Sequence, residues 1–199
     1  MNETFSEDDL APNSSERRSR RRLALERVVA SIGISCSALI FGGMVALGAT
    51  AAPAVFRLTP KPFSGTAMGA AFASFGQIAL AAACVALLVE LGRTVLTRHQ
   101  PPQPWDRVRR LVSVGLAGCA AYMALNLTPQ ISALHESGAV RNEGEKGALL
   151  DQTHRRAELV GKVEVGLALG LIFLHVMTLR GREPEDEEVF APRPPGPQG

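Results

Sequence analysis

Cysteine is scarce in this chain, and what there is lies far apart. Cys36, Cys84 and Cys119 are the only three in 199 residues, each in a different apolar run and none in a Cys-x-x-Cys spacing. That pattern excludes a disulfide framework and a zinc site of the usual spacing, and it reads as small packing residues inside helices. Also missing are a phosphate-cradling glycine loop, a nucleophile beside a base, and a pair of carboxylates set for acid–base work. The chain is therefore expected to be no enzyme and to carry no cofactor. The largest absence is of charge from the middle of the chain. No charged residue falls between Val28 and Phe56, between Pro62 and Val89, or between Leu111 and Leu134.

What remains is sharply segregated. The hydrophobic fraction of 46% and the net charge of +2 average over polar, charged ends and an Ala-, Gly-, Val- and Leu-rich middle. A helix needs about 20 apolar residues to cross a bilayer core, and the first three runs meet that length. The fourth, Val165 to Leu179, is short, so its helix is expected to start near Glu158. In lipid every peptide group must be satisfied internally, and short links make neighbouring helices antiparallel. The predicted fold is an all-α, integral membrane four-helix up-down bundle with disordered polar tails. Its predicted parts are a basic tail over 1–27, a transmembrane domain over 28–180, and an acidic, Pro-rich tail over 181–199. The spans are expected at about 28–56, 64–91, 108–130 and 158–179.

Ser19-Arg20-Arg21-Arg22-Leu23 resembles a twin-arginine export signal, and Ala49-Thr50-Ala51 resembles a signal-peptidase site. A cleaved signal has an apolar core of roughly 7–15 residues, much shorter than this first run, so a retained anchor is expected. Basic residues cluster before the first run, between the second and third (Arg93, Arg98, Arg107, Arg109, Arg110), and after the fourth (Arg180, Arg182). Such a bias marks the cytoplasmic side and predicts a multi-pass protein of the cell inner membrane with both termini inside. Trp105 suits an interfacial anchor, and Asp106 suits a cap of the third helix. The basic segment is explained by orientation and anionic headgroups, so no nucleic acid partner is expected.

Helices in lipid associate through small residues and interhelical hydrogen bonds. The second run repeats Gly65, Gly69, Ala73, Gln77 and Ala81 every four residues, which predicts a packing face. Ser35, Ala38, Gly42, Ala46 and Ala49 on the first run, Gly118, Tyr122 and Asn126 on the third, and Gly166 and Gly170 on the fourth fit the same reading. Those faces make a second copy of the chain, or another membrane protein, the expected partner besides the lipid bilayer. Gln77 and Asn126 are expected to bond across helices.

Ala52-Pro53-Ala54-Val55-Phe56-Arg57 closes the first run. Pro53 can kink the helix, Arg57 can reach the headgroups, and Thr59-Pro60 stops it. Leu58-Thr59-Pro60 returns as Leu127-Thr128-Pro129, which is expected to punctuate the third helix on the same side. His154, Glu158 and Lys162 share one face at i,i+4 spacing. Glu164 lies deeper. A candidate site for a partner or small ligand at the outer face thus comprises Arg57, Tyr122, Asn126, His154 and Glu158, with Arg57 and Glu158 as a possible ion pair. His154 and Glu158 alone are too few ligands to assign a metal. The alternative is an oligomeric transporter or a metal- or haem-handling protein, with Gln77, Asn126 and Glu164 lining a path.

The APAVFR segment, with Gly65, Gly69, Phe72, Tyr122, Pro129 and the His154 that precedes the last span, resembles the domain of unknown function 4149, or transmembrane protein 205-like, family over roughly Ile34 to Arg180. The resemblance implies a small helical membrane protein and supplies no catalytic residue. The family pattern follows its His with a Ser and an Asn, where this chain has Ala157, Glu158 and Gly161. A more distant likeness to copper-resistance D-type membrane proteins implies metal or haem handling, but this chain lacks their several intramembrane histidines.

Overall fold

A computed structural model describes residues 14–60, 63–96, 104–141 and 143–179. They form four long helices. Helix α1 runs through an α-helical stretch Ser14–Val45, a π-helical turn Ala46–Ala51 and a short α-helical end Ala52–Leu58. Helix α2 is Phe63–Leu96. Helix α3 joins Pro104–Tyr122, a π-helical turn Met123–Leu127, and Thr128–Glu136. Helix α4 is Gly144–Met177. Each is long and apolar enough to cross a membrane.

Neighbours in sequence pack as antiparallel neighbours in space, and α4 closes the ring against α1. The core is narrow. It holds Ile40 of α1, Ala79, Ala82, Ala83 and Ala86 of α2, Leu116 and Ala120 of α3, and Ala168 and Leu171 of α4. Large apolar side chains such as Leu88, Leu111, Leu125, Leu159 and Phe173 point outward. Lipid is as apolar as leucine, so such residues gain nothing by turning inward, and compact side chains let the backbones approach.

The close approaches are not at the predicted glycines. A Cβ added to Gly65, Gly69, Gly166 or Gly170 would meet nothing within 4 Å. Gly65, Gly69, Gln77 and Ala81 are exposed and Ala73 is half-buried, while α2 buries Met68 and its alanine seam instead. The stripes on α1 and α3 also face outward. The real contacts are at Gly33, where a Cβ would lie 2.5 Å from His175 Nε2, at Gly43 against the Phe75 ring, and at Gly161, 3.1 Å from Met44 Cε. Small residues cover several faces of these helices, so a four-residue repeat does not single out the inward one.

Four boundaries also differ from expectation. The first helix starts by Ser14, so residues 14–27 are helical rather than disordered; the remainder of that tail, and residues 181–199, lie outside the described residues. Asp106 sits in the first turn of α3 and pairs with Arg109 at 3.1 Å instead of capping the helix. Helix α4 begins at Gly144, more than three turns before Glu158. Thr128-Pro129 does not stop α3, which continues to Glu136, whereas Thr59 is extended (φ −111°, ψ 132°) and does end α1.

Pro129 instead corresponds to Pro53. Each follows a π turn that ends two residues earlier, and in each the residue before proline bonds five residues back, Ala52 N–H to Leu47 O and Thr128 N–H to Met123 O. Proline has no N–H for its own i−4 carbonyl, and the wider turn lets the helix pass it without a break.

Candidate functional site

Three polar features interrupt the apolar bundle: a buried charge network at one end, a helical hairpin at the other, and Glu164 between them.

The network lies at the end that carries the arginine clusters. All four helices contribute. Arg109 of α3 donates from Nε to Glu90 Oε2 of α2 at 2.7 Å and from Nη1 to Thr178 Oγ1 at 2.6 Å, just past α4. Arg93, one turn along from Glu90, reaches Glu26 Oε1 of α1 at 3.3 Å and His175 Nδ1 of α4 at 3.2 Å. Glu90, Arg93, Arg109 and His175 are each no more than 3% exposed. A guanidinium can only donate, so Nδ1 must accept and Nε2 must carry the imidazole proton. Nε2 in turn faces Glu90 Oε1 at 3.6 Å. Charge buried this deeply is tolerated only when paired. In the sequence these arginines serve orientation, and Glu90 is the first charge after the second apolar run. The overlooked signal is Glu90 and Arg93 one turn apart on the helix, with His175 inside an otherwise apolar segment.

The hairpin joins the last turns of α3 to the first turns of α4. Gly138 (φ 75°) closes α3: its N–H bonds to His135 O at 3.0 Å, and Ala139 N–H bonds to Leu134 O at 3.1 Å. This pair of bonds is the Schellman motif, and it requires the left-handed conformation that glycine adopts freely. Asp151 then receives Arg141 at 3.1 Å and Arg155 at 2.8 Å. The His135 and His154 rings meet edge to face with centroids 5.8 Å apart. Half-buried here, beyond the apolar part of α4, His154 has its pKa lowered by burial first, then by Arg141 and His135, against the opposing pull of Asp151. Glu145, Lys146, Leu149, Gln152 and Arg155 line an open groove on the outer side of α4.

The sequence-predicted site residues do not converge. Arg57 is exposed on the last turn of α1, and Tyr122 and Asn126 face outward from α3. Glu158 pairs with Lys162 at 2.7 Å, and no ion pair joins it to Arg57 among the described residues. Gln77 is exposed, so neither it nor Asn126 lines an interior path with Glu164, which is 2% exposed. Among the described residues no group of three or more His, Cys, Asp or Glu side chains is placed to hold a metal ion.

The family model described as Domain of unknown function (DUF4149) matches residues 35–139, just over half of the chain. The match takes in α2, α3 and most of α1. It covers Glu90, Arg93 and Arg109 and leaves α4, with His154, Glu164 and His175, outside. No curated protein and no solved structure matches the chain.

Proposed function

The chain belongs to the Domain of unknown function (DUF4149) family, and we propose that it is a non-enzymatic multi-pass protein of the cell inner membrane, both termini cytoplasmic, that binds a partner protein or small ligand through the hairpin at its outer end. The observation that supports this is the length of α4. The span is expected to start near Glu158, yet the helix starts at Gly144. At 1.5 Å per residue, about 20 Å of helix stands before that point. That segment is held by the Arg141–Asp151–Arg155 pairs and presents the groove over Leu149 and Gln152. In this reading His154 supports the hairpin from within, and the groove on its far side offers the contact surface. A photo-crosslinking residue at Leu149 or Gln152, irradiated in native membranes, is expected to give discrete adducts that Asp151→Arg removes. Adducts no different from those of a control at outward-facing Leu88 would overturn the reading.

A second reading, an oligomeric transporter, draws support from the outward Gly65-Gly69-Ala73-Gln77 stripe. Small residues with one amide suit helix–helix contact in lipid, and among the described residues Gly65, Gly69 and Gln77 stay exposed while Ala73 is half-buried. Its mark would be a stable oligomer in nanodiscs that Gly69→Leu dissociates; a monomer in the wild type would exclude it.

A further inference from the structure

Glu164 is the one carboxyl in the central layer of the bundle. It sits on α4, thirteen residues before Met177, at 2% exposure, and its Oε1 has no hydrogen-bond partner. No ion pair joins it among the described residues. The neighbouring helices offer no cation at its level: α1 is uncharged from Val28 to Phe56, α2 from Phe63 to Val89, and α3 from Leu111 to Leu134. On α4 itself the nearest base, Lys162, is exposed and committed to Glu158, and His175 is eleven residues away in the charge network. The titratable groups on the facing helices are Cys36 of α1, Cys84 of α2, and Cys119 and Tyr122 of α3. Cys119 is within electrostatic range of Glu164. A thiol or a phenol can carry negative charge only, so none of them can neutralise a carboxylate. One turn toward the hairpin, the methyl groups of Met44 and Met123 close over Gly161.

An unpaired carboxylate in such a place is far costlier than the neutral acid. The group is also not replaced by an apolar residue of similar size, as packing alone would allow. We propose that Glu164 is a proton-binding site: a carboxyl carried in its neutral, protonated form at the centre of the bundle, which gives up its proton only when water reaches it. The two π turns lie just outward of it, on α1 and α3. They are the points at which the regular hydrogen-bond ladders of those helices are already widened. Widened turns of this kind recur at functional sites.

The test is infrared titration of the full chain in nanodiscs, comparing wild type with Glu164→Gln. The expected result is a protonated-carboxyl C=O band at neutral pH that Glu164→Gln removes and that vanishes reversibly as pH is raised. A Glu164 seen only as carboxylate at neutral pH would overturn the proposal. So would a band that persists at alkaline pH while the protein stays folded, because a carboxyl that never releases its proton is a packing group. Should the Gln variant not fold, dicyclohexylcarbodiimide assigns the group in the wild type. The acid's proton passes to one reagent nitrogen while its oxygen adds to the central carbon, and an oxygen-to-nitrogen acyl shift then fixes the whole reagent on Glu164 with nothing released. An adduct at Glu164 at neutral pH that is absent at alkaline pH supports the proposal; adducts confined to other carboxyls overturn it.

Discussion

Arg109 is the residue on which the charge network turns. It holds Glu90, Thr178 and Asp106 at once, and with Glu90 it forms the shortest of the buried ion pairs. Removing one member of such a pair leaves the other charge buried and alone, which costs on the order of 3–5 kcal/mol, whereas replacing both by apolar groups costs far less. Glu90→Gln and Arg109→Met are each expected to destabilise the bundle in reversible denaturation from mixed micelles, and the double variant is expected to cost clearly less than the sum of the two. Additive costs would show that the pair does not interact. This network was within reach of the sequence only as scattered charges. Arg93 and Arg109 flank apolar runs, and such positions serve orientation equally well whether they face water or the core. Three helices have to be placed before Glu90, Arg109 and Thr178 become neighbours. Glu164 was different. A carboxylate at this depth costs less turned into the bundle than toward lipid, which fits its 2% exposure, while Lys162, two residues away, stays outside and pairs with Glu158.

At the scale of elements, the hairpin shows where composition misleads. The segment from Ser137 to Ala157 mixes Arg, Lys, Asp and Glu, which reads as a loop. The helix in fact starts at Gly144, and the charges beyond that point lie on it as i,i+4 partners, Asp151 with Arg155 and Glu158 with Lys162. Existence and order of the four helices were legible because runs without charge must be helical in lipid. Their ends were not, because polar residues can continue a helix into water without any change of period. The hairpin also carries a pH dependence. Burial and nearby Arg141 lower the His154 pKa, so the imidazole is neutral when the hairpin is closed and binds a proton more readily when it opens. Stability from this source is complete above the ordinary histidine value of about 6.5 and falls as pH drops through it. Amide exchange over residues 134–157 is expected to quicken on acidification from neutral pH to about 5 beyond the intrinsic chemical trend, and His154→Leu is expected to remove that excess. Equal protection at both pH values in the wild type would show that His154 does not couple to opening.

For the whole molecule, the four helices arrange polarity along the bundle rather than around it. Charge concentrates at the two ends; between them stands Glu164 inside the bundle, with the exposed Lys162–Glu158 pair near it on the outer face of α4. The two ends differ in kind. One carries the helical start of α1 with Arg20, Arg21, Arg22 and Arg27, together with Arg107, Arg109 and Arg110 of α3; the other carries acids and bases in near balance on the hairpin. Helix α1 from Ser14 to Leu58 measures about 67 Å at 1.5 Å per residue, against about 30 Å of hydrocarbon. Much of that excess lies at the arginine end, where the chain can lie among anionic headgroups. In the proposed orientation, with Lys and Arg retained on the cytoplasmic side, the hairpin faces outward. In intact cells a membrane-impermeant maleimide is expected to label Ser137→Cys and to reach Leu25→Cys only after permeabilisation, with the wild type as control for Cys36, Cys84 and Cys119. The reverse pattern would turn the hairpin to the cytoplasm and put its groove before cytoplasmic partners. It would leave the charge network and the neutral carboxyl of Glu164 as they are, since neither depends on which compartment each end of the bundle meets.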